Sequence, residues 1–188
     1  MTPTSSPPAP LPVDKPVAIV MAAGKSTRMK SERPKVLHEL CGKAVLGYVL
    51  DALTEAGVER KIVVVGYQAD LVKKAFEGVP GVEFVVQTQQ LGTGHAVMMA
   101  QPALAGHQGS VVVIAEDQPL IRSRLVADIL RRREETGAHA MIGTALVPDP
   151  FGLGRILRDQ NGNFLGVVEQ KDATPEQALI KEINFSFY

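Results

Sequence analysis

The residues best suited to chemistry in this 188-residue sequence lie in one run, Met21-Ala-Ala-Gly-Lys-Ser-Thr-Arg-Met-Lys-Ser-Glu-Arg-Pro-Lys35. Ala22, Ala23 and Gly24 carry almost no side chain, so a ligand can come close to the backbone. Exposed N–H groups there can bind phosphate oxygens. Lys25, Arg28, Lys30, Arg33 and Lys35 follow, against the single acid Glu32. Lys+Arg and Asp+Glu both total 20 in this chain, so the run is a local positive patch on a neutral protein. By itself such a cluster is equally a solvated surface loop. Two familiar phosphate motifs fail. Gly24-Lys25-Ser26 copies the end of a P-loop, but the earlier glycine would fall at Ile19. Gly92-Thr93-Gly94 and Gly152-Leu153-Gly154 open a dinucleotide fingerprint but end on Val97 and Leu157. An ordinary P-loop NTPase and a dinucleotide-binding dehydrogenase are thereby excluded.

The elements around the run must position it. Val17–Ala22, Lys61–Val65, Val82–Gln87 and Ser110–Ala115 are short Val- and Ile-rich runs, apolar on both faces, as expected for strands covered by helices on both sides. Between them lie helical patterns at Lys43–Ala56, Asp70–Glu77 and Gly94–Ala105, and Ser123 reads as the N-cap of a helix ending at Gly137. This alternation predicts an α/β fold with a mostly parallel sheet and right-handed crossovers. Ligands in such sheets sit at the carboxyl ends of the strands, where the basic run begins and where Asp117 follows the Ser110–Ala115 strand. After Gly137 the pattern changes to strands at Ala138–Val147, Arg155–Arg158 and Asn163–Val168, with a turn at Asn161-Gly162, a partly antiparallel extension.

Composition narrows the classes. At 45% hydrophobic the chain can build a core. Balanced charge argues against a nucleic-acid binder. Cys41 is the only cysteine, which excludes a disulfide scaffold; it reads as a packed thiol. The longest apolar run, Val17–Ala23, is far short of a membrane span, and no signal peptide is legible, so a cytoplasmic protein with no membrane partner is expected. Residues 1–16 hold six of the 13 prolines and read as a flexible tail ahead of a domain over residues 17–188. No internal repeat is visible.

The run Met21–Lys35 resembles the signature of nucleotide-sugar pyrophosphorylases, small-x-Ala-Gly-x-[Gly/Ser]-Thr-Arg-Met followed by Pro-Lys. Gln87-Thr-Gln-Gln-Leu-Gly-Thr-Gly-His-Ala96, Phe151-Gly-Leu-Gly-Arg-Ile156, Val168-Glu-Gln-Lys-Asp-Ala173 and Glu182-Ile-Asn184 follow in the family's order. Together they resemble the N-terminal uridylyltransferase domain of bacterial bifunctional N-acetylglucosamine-1-phosphate uridylyltransferases. The resemblance implies a Rossmann-like three-layer sheet of the nucleotide-diphospho-sugar transferase type. It implies that UTP and N-acetylglucosamine 1-phosphate are joined to UDP-N-acetylglucosamine, a peptidoglycan precursor, with release of pyrophosphate and with Mg2+ as cofactor.

Residue by residue, the resemblance makes Arg28 and Lys35 the catalytic pair, a planar fork and a mobile point charge for phosphate. Met21, Ala22, Ala23 and Gly24 match the backbone against the nucleotide. Gln87 matches the reader of the uracil edge, helped by Gly92 and Thr93; a side-chain amide offers both donor and acceptor. His95 reads as structural. Asp117 matches the magnesium ligand, a carboxylate oxygen for a hard cation, with Ala115 and Glu116 beside it at the substrate. Gly154, Glu169 and Asn184 match residues around the sugar and ribose.

Three features depart from the family pattern. Glu116 stands where the family has glycine. Asn184 is followed by Phe185-Ser186 rather than Thr-Gly. The sequence reaches Tyr188 without the asparagine that serves the family as a second metal ligand, so the domain is expected to be C-terminally incomplete. Phe185, Phe187 and Tyr188 then pack on the domain, meet another chain or stay exposed, and some self-association is expected. The oligomeric state is left open. Two other readings stand beside the first. One is a related nucleotidyltransferase with another acceptor, since Asp117-Gln-Pro-Leu120 also resembles molybdenum-cofactor nucleotidyltransferases. The other is a nucleotide-binding module with little activity.

Overall fold

The computed structural model describes residues 14–25 and 29–188. The expected tail up to residue 13, and Arg28, lie outside the described residues. β1 (Val17–Ala22) is buried along its whole length. Ala18, Val20 and Ala22 point into one apolar layer and Val17, Ile19 and Met21 into the other. A strand apolar on both faces must lie in the middle of three layers.

The chain continues through a hairpin of β2 (Glu39–Leu40) and β3 (Lys43–Ala44), then α1 (Val45–Glu55), β4 (Arg60–Val65), α2 (Ala69–Ala75), β5 (Val82–Val86), α3 (Thr93–Met99), β6 (Val111–Ala115) and α4 (Ser123–Thr136). Four of these strands form a parallel sheet in the order β5-β4-β1-β6. Leu46, Val49, Leu50 and Leu53 of α1, Val72 of α2 and Val126 of α4 cover one face. Ala96 and Ala100, in and just after α3, cover the other. The chain steps outward from β1 to β4 to β5, then crosses back to β6 on the far side of β1. That reversal opens a crevice at the carboxyl ends of β1 and β6, where ligands bind in open α/β sheets.

The second half holds β7 (Thr144–Leu146), β8 (Arg155–Arg158), β9 (Phe164–Val168), α5 (Pro175–Ala178) and β10 (Glu182–Asn184). Its strands form an antiparallel sheet in the order β7-β10-β8-β9. The residues after β10 join the two sheets. Val113 and Tyr188 exchange backbone hydrogen bonds of 2.8 Å, and Ala115 N donates to Ser186 O at 3.2 Å. Phe187 is fully buried in the core, with Phe185 packed against it. These two phenyl rings are therefore covered by the domain itself, rather than left to another chain or to solvent.

Several local expectations are corrected. The first helix starts at Val45, not Lys43, because Glu39–Ala44 closes a hairpin around Cys41 and Gly42. Cys41 is exposed in that turn, not packed. The third helix stops at Met99, and Pro102–Leu104 forms a separate 3-10 turn; proline removes the donor that would extend it. Ser123 is the first residue within α4 rather than its N-cap, and Arg122 occupies the cap position without a side-chain hydrogen bond. The strand expected over Ala138–Val147 is paired as β7 only over Thr144–Leu146. Among the described residues no helix is long and apolar enough to cross a membrane.

Candidate active site

A cleft of about 250 Å³ opens at the switch point, lined by residues of β1 and β6, the β5–α3 segment and Ser186. Met21, Ala23 and Gly24 form its β1 wall. Ala22 lies between them but is buried on the α1 side of the strand. The small residues do what their size allows. Ala23 O accepts from Tyr67 N at 3.3 Å and from the Gln90 amide at 2.9 Å. A Cβ on Gly66 would stand 2.7 Å from that oxygen, so only glycine lets the β4–α2 loop close on the β1 loop. A larger cavity of about 360 Å³ lies between α4, the amino half of β6 and Tyr188, away from the strand ends that hold ligands in this architecture.

Gln87 forms the opposite wall. It is buried, and its backbone N–H donates to Val65 O at 2.7 Å. Its Nε2 donates to Gly92 O at 3.3 Å and lies 2.8 Å from His95 Nδ1. The amide nitrogen is thus engaged from two sides, so His95 Nδ1 serves as acceptor and carries its proton on Nε2. Nothing among the described residues donates to Gln87 Oε1, which leaves an acceptor for a ligand. Gly92, at φ 102° and ψ −179°, adopts a backbone conformation open in practice only to glycine, and Thr93 starts α3 behind it.

The charged groups gather at the end of β6. Lys35, in a 3-10 turn, forms an ion pair with Asp117. Glu116 holds the neighbouring position, its backbone N–H donating to Met21 O at 3.2 Å. Burial first, and the adjacent Asp117 charge second, push the Glu116 carboxyl up to about 7; a backbone hydrogen bond and Lys35 act against them. Among the described residues no group of three or more His, Cys, Asp or Glu side chains is placed to hold a metal ion. Two adjacent carboxylates nevertheless offer the oxygen donors that magnesium takes when substrate phosphates complete its shell.

Gly154, Glu169 and Asn184 do not line this cleft. They form a separate cluster in the antiparallel sheet. Asn184 N donates to Gly154 O at 2.9 Å, and a Cβ on Gly154 would stand 3.2 Å from Glu169 Oε1. The Asn184 side chain is already engaged within the chain, its Nδ2 donating to the Tyr188 hydroxyl at 2.7 Å and its Oδ1 accepting from Ser186 N at 3.1 Å.

Residues 18–162 match the family model described as the MobA-like NTP transferase domain. The chain belongs to this family. Within it, the bifunctional protein GlmU of Pelobacter propionicus is 44% identical over 171 residues, 91% of this chain and 37% of that protein. The GlmU of Lactobacillus delbrueckii subsp. bulgaricus is 48% identical over 166 residues, covering 88% and 36%. The chain thus spans little more than a third of the length of these relatives. Among solved structures, a UDP-glucose pyrophosphorylase from Acinetobacter baumanii superposes with a TM-score of 0.74 at 20% identity, over 93% of this chain and 74% of that one. At that identity the likeness is one of fold, and the α/β architecture is that of a sugar-nucleotide pyrophosphorylase.

Three residues of this NTP transferase domain carry more of the site than their sequence context suggested. Gln90 fastens the β5–α3 segment to the β1 loop, and Ser186 completes the cleft wall. His95, read as structural, holds the amide of Gln87. A histidine eight residues beyond a glutamine carries no local signal of that contact. It exists only because the Gly92 turn folds the start of α3 back over the end of β5.

Proposed function

We propose that this chain transfers a uridylyl group from UTP to N-acetylglucosamine 1-phosphate. The observation that carries the reading is one cleft with an amide reader, Gln87, on one wall and the Lys35–Asp117 pair beside the other. An oxygen of the sugar phosphate attacks the α-phosphorus of UTP. A new P–O bond forms there, the α–β bridging bond breaks, and pyrophosphate leaves with the electron pair. Because charge gathers on nonbridging and leaving oxygens, the protein acts by position and electrostatics rather than by covalent chemistry.

The free Oε1 of Gln87 suits the ring N–H donor of uracil, and the turn at Gly92 fixes the plane of approach. The bare β1 loop admits the phosphates to backbone distance. Lys35 supplies mobile positive charge at the carboxyl end of β6, and Arg28 is assigned the second cation of the pair. Asp117, with Glu116 beside it, would hold magnesium, which when bound neutralises polyphosphate charge. Gly154, Glu169 and Asn184 are assigned to the sugar side. We place the reaction in the cytoplasm, where UTP is available.

The test is pyrophosphate release across a panel of nucleoside triphosphates and sugar 1-phosphates. UTP with N-acetylglucosamine 1-phosphate should be the preferred pair. Equal turnover of ATP, GTP or CTP would remove Gln87 as the base reader. Release only with a non-sugar acceptor would favour the alternative suggested by Asp117-Gln-Pro-Leu120.

A further inference from the structure

Arg155, the first residue of β8, is 1% exposed. Its Nη1 donates to Leu153 O. Its Nη2 donates to Gln170 Oε1 at 2.7 Å and to Ala178 O at 3.3 Å. Its Nε is buried and has no partner among the described residues. Every acceptor around this cation is therefore a neutral carbonyl-type oxygen. An ion buried without a countercharge costs several kcal/mol that an apolar side chain of similar volume avoids. Packing alone does not explain the residue.

What a guanidinium does, and methionine or lysine cannot, is present several donors in one rigid plane. Here that plane reaches three chain segments at once. Leu153 belongs to the Phe151–Gly154 loop, Gln170 follows Glu169 at the end of β9, and Ala178 closes α5. Gln170 Oε1 also accepts from Gly152 N at 2.9 Å, so the loop is tied to the same oxygen twice, directly and through Arg155. Gly154 and Glu169 are each one residue from these ties, and a Cβ on Gly154 would stand in tight contact, 3.2 Å, with Glu169 Oε1.

We propose that Arg155 is a positioning residue for the sugar-phosphate side of the site. Its buried guanidinium holds the Gly152–Gly154 loop and the end of β9 in the relation that sets Gly154 against Glu169. The inference rests on the uridylyl-transfer reading above. It assigns Arg155 no contact with substrate.

The experiment varies each substrate in turn, with pyrophosphate release as readout, in the wild type, Arg155→Met, Gln170→Ala and Gln170→Glu. Loosening one hydrogen-bonded hub is worth about tenfold, so Arg155→Met should raise KM for N-acetylglucosamine 1-phosphate by roughly that factor. KM for UTP should stay within about twofold, because the UTP cleft lies on the other sheet. Gln170→Ala leaves Arg155 in place and should move the same KM in the same direction. Gln170→Glu keeps an acceptor for both donors and should stay near wild type. A merely structural arginine would lower the unfolding midpoint without splitting the two KM values, and that result overturns the proposal. Should Arg155→Met fail to fold, Gln170→Ala decides by the same split. A wild-type chain inactive with every pair overturns the uridylyl-transfer reading, and this inference with it. An active wild type whose variants show no split overturns this inference alone.

Discussion

Replacing Glu116 by glutamine should remove a pH dependence of stability that the fold itself creates. The carboxyl is pushed up from 4.5 to about 7, chiefly by burial. A group whose folded value is raised binds protons more tightly in the folded chain than in the unfolded one. Between the two values the folded chain holds the extra proton, so stability falls as pH rises from about 4.5 to about 7 and then levels off. At ~1.36 kcal/mol per unit, the loss across that window is on the order of 3 kcal/mol. Four depressed carboxyls, Glu59 held down by Lys15, Asp159 by Asn163, Glu176 by a backbone hydrogen bond and Glu182 by Arg158, act the other way, but only as pH falls below their ordinary values of 4.5 and 3.8. They leave the window to Glu116.

The assay is urea unfolding of wild type and Glu116→Gln at about pH 5 and about pH 7.5. Comparing the two proteins at each pH removes whatever else titrates. The variant should match the wild type near pH 5 and exceed it near pH 7.5 by on the order of 3 kcal/mol. Equal stabilities at both values would refute the argument, because they would mean that the carboxyl is hydrated when charged. Magnesium should narrow the difference near pH 7.5, since a divalent cation beside Asp117 favours the ionised form of its neighbour.

Lys35→Ala should lower kcat by ~10²-fold or more with little change in KM, the pattern of a charge needed most in the transition state, and steady-state pyrophosphate release reads it. His95→Phe fills the same space but removes the nearer of the two acceptors that hold the Gln87 amide; it should raise KM for UTP and weaken discrimination against CTP, as a competition assay would show. Phe187→Ala removes a fully buried ring from the seam between the sheets and should cost about 3–5 kcal/mol in urea unfolding. A cost below about 1 kcal/mol would mean that the seam contributes little to the fold.

The parallel half of the fold was legible because its strands are rich in Val and Ile and three of its helices, α1, α2 and α4, are followed by a glycine at Gly57, Gly78 and Gly137. Val17–Ala22 and Ser110–Ala115 appear in the structure within a residue of where the pattern put them. The helix α5 was missed although its signal is present: Thr174 and Gln177 form a capping box, with Pro175 as the first helical residue. The β2–β3 hairpin was missed because Lys43 and Ala44 continue the helical spacing of α1, and only pairing with Glu39 and Leu40 draws them out. In the cleft, Gly24, Gln87 and Gly92 were readable from motif order. The Gln87–His95 and Gln90–Ala23 contacts were not, since each joins residues that local spacing does not relate.

The two halves of the site are also less separate than their two sheets suggest. β6 has β1 on one edge and Ser186–Tyr188 on the other, so a single strand end seats both Glu116 and the wall that faces it. Gln118, one residue past Asp117, strengthens that seam by donating to Phe185 O, with Ser186 O at 3.5 Å. Its Oε1 is buried and has no partner among the described residues. Asn184 completes the link, holding Ser186 N and the Tyr188 hydroxyl while its own N–H reaches Gly154. Asp117 and Gly154 are thus linked through Gln118, Ser186 and Asn184, by one peptide bond and a run of hydrogen bonds. In the uridylyl transfer proposed above, such a link would help to fix the distance between the two substrates.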